Sequence, residues 1–168
     1  MTGLSRALST ALAILALDQA TKWWIVEAME LKTRGVIEVF PPFLTLVMAW
    51  NRGINFGLFA SDSETSRWIL FGIAVTVSIG LAIWSRRQAG WLIPVAIGLV
   101  MGGAIGNAID RVRYGAVADF LNMSCCGIAN PYAFNVADIA IFAGAALLII
   151  FSGGDAPPTG ANAKRKGS

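Results

Sequence analysis

Asp119 and Asp138 are the residues of this sequence best suited to chemistry. Two carboxylates brought close in a partly dry site cannot both ionise, so they share a proton. Such a pair can activate water with one member while the other donates to a scissile carbonyl, as hydrolysis of a peptide requires. Its titration belongs to the couple and not to either residue. Asp138 follows Asn135 in an apolar stretch, where a mid-helix carboxylate costs roughly 2.5–3.5 kcal/mol on insertion scales. An idle structural role does not explain that cost. Asp119, in Val117-Ala118-Asp119-Phe120, is by itself an ordinary loop aspartate and gains meaning only from a partner. Asp18 lies deep in an earlier apolar stretch with Lys22 one helical turn later, a spacing that suits an ion pair lowering the cost of both charges. The chain has no histidine, the usual base for a serine or cysteine nucleophile. Cys125 and Cys126 are adjacent; vicinal cysteines rarely bridge, and one pair lacks the ligand count of a zinc site.

The stretch that must position these acids is Met-Gly-Gly-Ala-Ile-Gly-Asn-Ala-Ile-Asp-Arg, residues 101–111, which closes a long apolar run. Gly98, Gly102 and Gly106 recur every fourth residue, and on a helix they make one smooth face for a neighbouring backbone. Gly103, Asn107 and Arg111 form an adjacent stripe. Of the 168 residues, 56% are hydrophobic and 14% charged, against about 25% charged in soluble domains. With a mean hydropathy of +0.65, this is the composition of a membrane protein. The net charge of +3 is small and dispersed, and gives no footprint for nucleic acid.

Apolar stretches at 7–26, 68–84, 91–109 and 134–151 approach the spanning length of about 17–25 residues. They predict an all-α polytopic membrane protein with four transmembrane helices. Trp23, Trp24, Trp68, Trp84 and Trp91 mark their ends, as amphipathic rings do at the headgroup level. Arg6 before an apolar run also fits a cleaved signal peptide, but apolar character resumes at 23–26 and the stretch reads as a span. Arg6, Arg86-Arg87 and Lys164-Arg165-Lys166 fall on short flanks of one side, which puts both termini in the cytoplasm. Loops 28–67 and 110–133 then lie outside. In the first, Val36-Ile37-Glu38-Val39-Phe40 alternates, Pro41-Pro42 breaks it, and 43–50 resumes a β-forming run. Asn51-Arg52-Gly53 reads as a turn and 54–59 as a returning strand, giving a small extracytoplasmic β-hairpin cradle on the membrane surface. Ser61 and Glu64 form a capping box for the second span. Residues 1–152 thus make one membrane-embedded domain, followed by a disordered cytoplasmic tail at 153–168.

Five motifs occur in order: Asp18-Gln19-x-x-Lys22; Asn51-x-Gly53-x-x-Phe56; Gly102-Gly103-Ala104-x-Gly106-Asn107-x-x-Asp110-Arg111; Val117-x-Asp119-Phe120; and Phe134-Asn135-x-Ala137-Asp138. From Asp18 to about Ile141 the chain resembles lipoprotein signal peptidase, the signal peptidase II family of bacterial membranes. The resemblance implies an aspartyl endopeptidase of the bacterial cytoplasmic (inner) membrane, with its active site near the outer face. Such an enzyme cuts prolipoproteins just before a diacylglyceryl-modified cysteine. Asp119 and Asp138 would be the catalytic pair, with Asp18, Lys22, Asn51, Gly53, Asn107, Arg111 and Asn135 supporting the pair or the substrate. No metal or organic cofactor is implied. The expected partners of a monomeric enzyme are its lipidated precursors, membrane lipid, and macrocyclic peptide inhibitors that mimic the substrate. Two positions depart from the family's usual pattern: Ile54-Asn55 stands where two alanines are common, and Ile139 where a small polar residue is common. Neither is a catalytic carboxylate; they bear on substrate preference and inhibitor fit.

Two other readings use the same residues. A small proton-coupled transporter could relay protons through intramembrane acids, but the chain has no internal repeat and its polar residues group at one outer face. An assembly protein could pair helices through the glycine face, which would leave Asp119 and Asp138 idle.

Overall fold

The computed structural model describes residues 2–53, 64–125, 127 and 130–152. Helix α1 (Gly3–Lys22) is capped by the Thr2 hydroxyl, which accepts from the Ser5 amide at 3.2 Å, and runs into a π-helical turn, Trp23–Ala28. A short α2 (Leu31–Arg34) leads into β1 (Val36–Phe40) and β2 (Leu44–Asn51). Then come α3 (Glu64–Ser85), α4 (Leu92–Tyr114), β3 (Val117–Asn122) and α5 (Val136–Phe151).

Helix α4 is the mast against which α1 and α5 pack, and its glycines are the reason. A Cβ at Gly98 would lie 2.5 Å from the Ala7 carbonyl oxygen, and one at Gly102 2.6 Å from that of Ala11. At Gly106 it would meet Asp18 Oδ2 at 2.5 Å. The four-residue stripe is therefore filled by α1, the neighbouring backbone that its spacing calls for. Gly103, on the neighbouring stripe, faces the Ala137 carbonyl of α5. Gly144 answers from α5, where a Cβ would lie 2.7 Å from the Ala96 carbonyl oxygen.

The packing is inverted relative to a water-soluble bundle. Helix α3 buries Ser66, Ser78 and Ser85 while Trp68, Ile69, Ile73, Val77, Ile79 and Ile83 are exposed. In water the apolar stripe would turn inward; apolar outside and small polar inside suits a lipid solvent. Helices α3 and α4 are each long and apolar enough to cross a membrane, and α5 is apolar but shorter, at 16 residues. At one end of the bundle the Arg6 guanidinium donates to the Gly90 carbonyl, which brings the start of α1 to the turn before α4. The polar residues of interest gather at the other end.

Several element boundaries differ from expectation. The stretches expected at 7–26 and 68–84 begin earlier, at Gly3 and Glu64. Helix α4 runs past 109 to Tyr114, because its stop is Gly115. Gly115 takes the left-handed conformation (φ +77°) and its N–H donates to the Arg111 carbonyl at 3.1 Å, a common glycine termination. Asp110 and Arg111 are thus helical and not in the outer loop. That loop contains β3, which pairs antiparallel with β2, with Ala49 opposite Asp119 and Asn51 opposite Val117. The sheet order is β1-β2-β3, so the fold is helical with a three-stranded sheet and Asp119 is a strand residue. Val117, Ala118, Asp119 and Phe120 are all buried, so the segment lacks the alternation that betrays a half-exposed strand. Helix α5 starts at Val136 with Asn135 as its cap, which makes Asp138 a first-turn residue and not a mid-helix one. The expected returning strand at 54–59, Ser61 and the tail 153–168 lie outside the described residues.

Gly102→Val should destabilise the protein by at least about 3 kcal/mol, the upper part of the overpacking range, because backbone blocks the new side chain. Gly80→Ala meets nothing within 4 Å and should leave stability unchanged or raise it by up to about 1 kcal/mol. Reversible unfolding in mixed micelles reads both.

Candidate active site

The end of β2 and the start of α5 bring side chains to Asp119 from two sides. Asn51 Oδ1 accepts the Gly53 N–H at 3.2 Å, closing a local turn that leaves the amide nitrogen free to donate to Asp119 Oδ2 at 3.2 Å. On the other side, Phe134 pairs with Leu121 along the open edge of β3, through bonds of 2.8 and 3.1 Å. That pairing delivers the next residue, Asn135, to the same acid. Asn135 is fully buried, and its Nδ2 donates to Asp119 Oδ1 at 2.7 Å.

Asn135 also caps α5. Its Oδ1 accepts the Asp138 N–H at 2.9 Å, and Asp138 Oδ2 accepts the Asn135 N–H at 3.2 Å, a reciprocal capping box. The other Asp138 oxygen, Oδ1, accepts from Asn107 Nδ2 at 2.8 Å. Asn107 Oδ1 in turn accepts from Asn135 Nδ2 at 3.2 Å. A single residue, Asn135, thus bonds both acids, and the two carboxylates meet around it. Arg111 Nη1 donates to the Asn107 carbonyl at 3.1 Å and feels the charges of Asp110, Asp119 and Asp138.

Behind this layer lies a buried ionic cluster. Lys22 Nζ contacts Asp18 Oδ2 at 2.9 Å, Asp110 Oδ2 at 2.7 Å and Asn107 Oδ1 at 3.3 Å. The ammonium therefore has three acceptors for its three protons. The helix pair Asp18–Lys22 forms as its spacing suggests, but it is only part of a larger group. Asp110 and Gln19 are the members that the sequence reading left out. Both stand inside the quoted motifs, Gln19 beside Asp18 and Asp110 beside Arg111. Placing residue 110 in a loop hid the fact that it lies one turn from Asn107. Among the described residues no group of three or more His, Cys, Asp or Glu gathers where it could hold a metal ion.

The surroundings of Asp119 oppose its ionisation. Asp119 is 4% exposed, and its carboxyl is pushed up to about 7, first by burial and then by the charge of Asp138. The amides of Asn51 and Asn135 and the Lys22 ammonium pull the other way.

A family profile described as Signal peptidase (SPase) II matches residues 10–153. The lipoprotein signal peptidase of Methylobacterium sp. (strain 4-46) is 46% identical over 143 residues, covering 85% of this chain and 86% of the relative. That of Methylorubrum extorquens (strain PA1) is 44% identical over 157 residues, 94% of this chain and 91% of the relative. A bacterial membrane enzyme solved by the in meso method at 2.3 Å superposes with a TM-score of 0.72 and 32% identity, covering 96% of this chain and 93% of that one.

Because the Asp119 carboxyl lies near 7 in the folded protein and at 3.8 ordinarily, folding favours its protonated form. The stability it contributes is complete below the ordinary value and is lost as pH rises through about 7. Unfolding compared at about pH 5 and about pH 8 should show the protein weaker at the higher value, and Asp119→Asn should flatten that difference.

Proposed function

The chain belongs to the signal peptidase II family, and from that premise we propose that it is an aspartyl endopeptidase acting on diacylglyceryl-modified prolipoproteins. It cuts just before the lipidated cysteine, with Asp119 and Asp138 as the catalytic pair. The observation that carries this reading is the shared contact: Asn135 bonds Asp119 through its amide and Asp138 through the helix cap. In the resting pair Asp119 holds the proton. Asp138 serves as the base: it lies in the first turn of α5 and accepts from Asn107 and a backbone amide. It takes a proton from water, whose oxygen attacks the scissile carbonyl, while Asp119 gives its proton to the carbonyl oxygen. On collapse of the resulting diol, Asp138 passes its proton to the leaving nitrogen and Asp119 recovers one from a diol hydroxyl.

The proposed setting is a monomeric domain over 1–152, with α1, α3, α4 and α5 as four spans of the cytoplasmic (inner) membrane and both termini cytoplasmic. The three-stranded sheet and the two acids then stand at the outer face. There the bilayer already holds the substrate's acyl chains, at about 0.8 kcal/mol per buried methylene. The enzyme need only grip the backbone before the cysteine, which must unwind locally because helical amides are already engaged. The exposed Asn51 amide, which both donates and accepts, suits that task, and macrocyclic peptides that imitate the substrate would compete there.

Purified protein in detergent should cut a diacylglyceryl prolipopeptide. Asp119→Asn and Asp138→Asn should each lower the rate by at least about a hundredfold while leaving expression and helicity intact. The wild-type rate should fall as pH rises through about 7, where Asp119 loses its proton. Cutting that survives in either variant overturns the assignment.

A further inference from the structure

We propose that Lys22, Asp18 and Asp110 form a clasp that sets the spacing of the two catalytic acids by holding the peptide group next to each of them. The inference rests on reading Asp119 and Asp138 as the catalytic pair. Asp110 Oδ2 accepts the Ala118 N–H at 3.2 Å, one residue before Asp119. Asp18 Oδ1 accepts the Ala137 N–H at 3.0 Å, one residue before Asp138. Lys22 joins the two carboxylates at 2.7 and 2.9 Å. Gln19 Nε2 bonds them a second time, at 3.1 Å to Asp18 and 3.2 Å to Asp110. Helices α1 and α4 therefore meet on one ammonium, and its two carboxylates tie in β3 and α5.

Burial decides what kind of role this is. Asp18, Asp110 and Lys22 are 0%, 0% and 2% exposed, so they are walled off from substrate: Asp110 acts through Ala118, Asp18 through Ala137, and Lys22 through both carboxylates and through Asn107. They are positioning residues. The chemistry explains why charges stand here. The Ala137 amide is one of the first donors of α5, without an intrahelical acceptor, and Ala118 turns its N–H toward α4. A carboxylate can meet such a donor and a cation together, Asp18 with one oxygen for each and Asp110 with Oδ2 for both, whereas an apolar side chain would leave the N–H buried and unmet. The two clasped amides belong to the residues that immediately precede the reacting acids. A displacement of about 1 Å at such a distance can cost about a hundredfold in rate.

The test uses the full chain in detergent, with kcat and KM on a diacylglyceryl prolipopeptide and thermal unfolding measured together. Asp110→Leu and Lys22→Met should each lower kcat by about tenfold or more while KM stays within about threefold of wild type. Asp110→Asn, which keeps an acceptor for Ala118, should recover part of that loss. A merely structural role would lower the unfolding temperature and leave kcat of the folded enzyme unchanged; that result overturns the clasp. Should Asp110→Leu not fold, Asp110→Asn and Asp18→Asn carry the test, and wild-type kcat in both overturns it. Asp119→Asn is run alongside. If it still cuts, the dyad itself is wrong. If it is dead while Asp110→Leu cuts normally, only the clasp is wrong.

Discussion

The side-chain amide of Asn135 is the joint on which the site turns. Its oxygen caps α5 and its nitrogen reaches Asp119, Asn107 and the Ala118 carbonyl. An amide can do this because it offers two donors and an acceptor in one plane. An aspartate there would repel both acids, and an alanine would leave the Asp138 N–H uncapped and Asp119 with Asn51 as its side-chain donor. Asn107 repeats the logic one layer down, accepting from Lys22 and donating to Asp138. The bonds run from ammonium to amide to carboxylate, each donor facing an acceptor. In a bilayer, where water cannot repair a missing bond, that completeness is what keeps so many polar atoms in place.

The same constraint shapes the apolar parts. Ordinary side chains along the inner stripes of α4 would hold α1 and α5 away, and the amide of Asn107 would no longer span to Asp138. Gly102 and Gly103 let two helix backbones close on opposite sides of one turn. Gly106 then gives its place to Asp18 Oδ2, so the glycine stripe ends where the ionic cluster begins. Helix packing and charge placement are one feature here: close approach of backbones supplies the short distances that the buried carboxylates need.

Much of this was legible in the sequence. The four-residue spacing of Gly98, Gly102 and Gly106 announced a close helix contact, and the ordered motifs named the acids and their amides. Strands β1 and β2 followed from alternation on either side of Pro41-Pro42, but their pairing with each other did not, since the hairpin turn was expected at 51–53. What escaped were features decided by tertiary contact. Strand β3 is buried along its first four residues, so nothing periodic marked it. Asp110 reads as the first residue of a loop until Gly115, five positions later, is seen to end the helix. The third strand of the sheet came from a segment far along the chain, a pairing that local pattern does not encode. Asp138 sits shallower than its apolar surroundings suggested, because Asn135 starts the helix immediately before it.

That shallow position also bears on Ile139. Ala137 and Ala140, on either side of the acid, are buried, whereas Ile139 is 48% exposed. It points away from the face that carries Ala137 against α4, toward the lipid side of α5. An isoleucine there costs nothing in hydrocarbon, while a polar side chain would have to find a partner on the helix itself. The departure from the family's usual residue therefore alters the surface that α5 shows to the bilayer and leaves the bonds of Asp138 as they are.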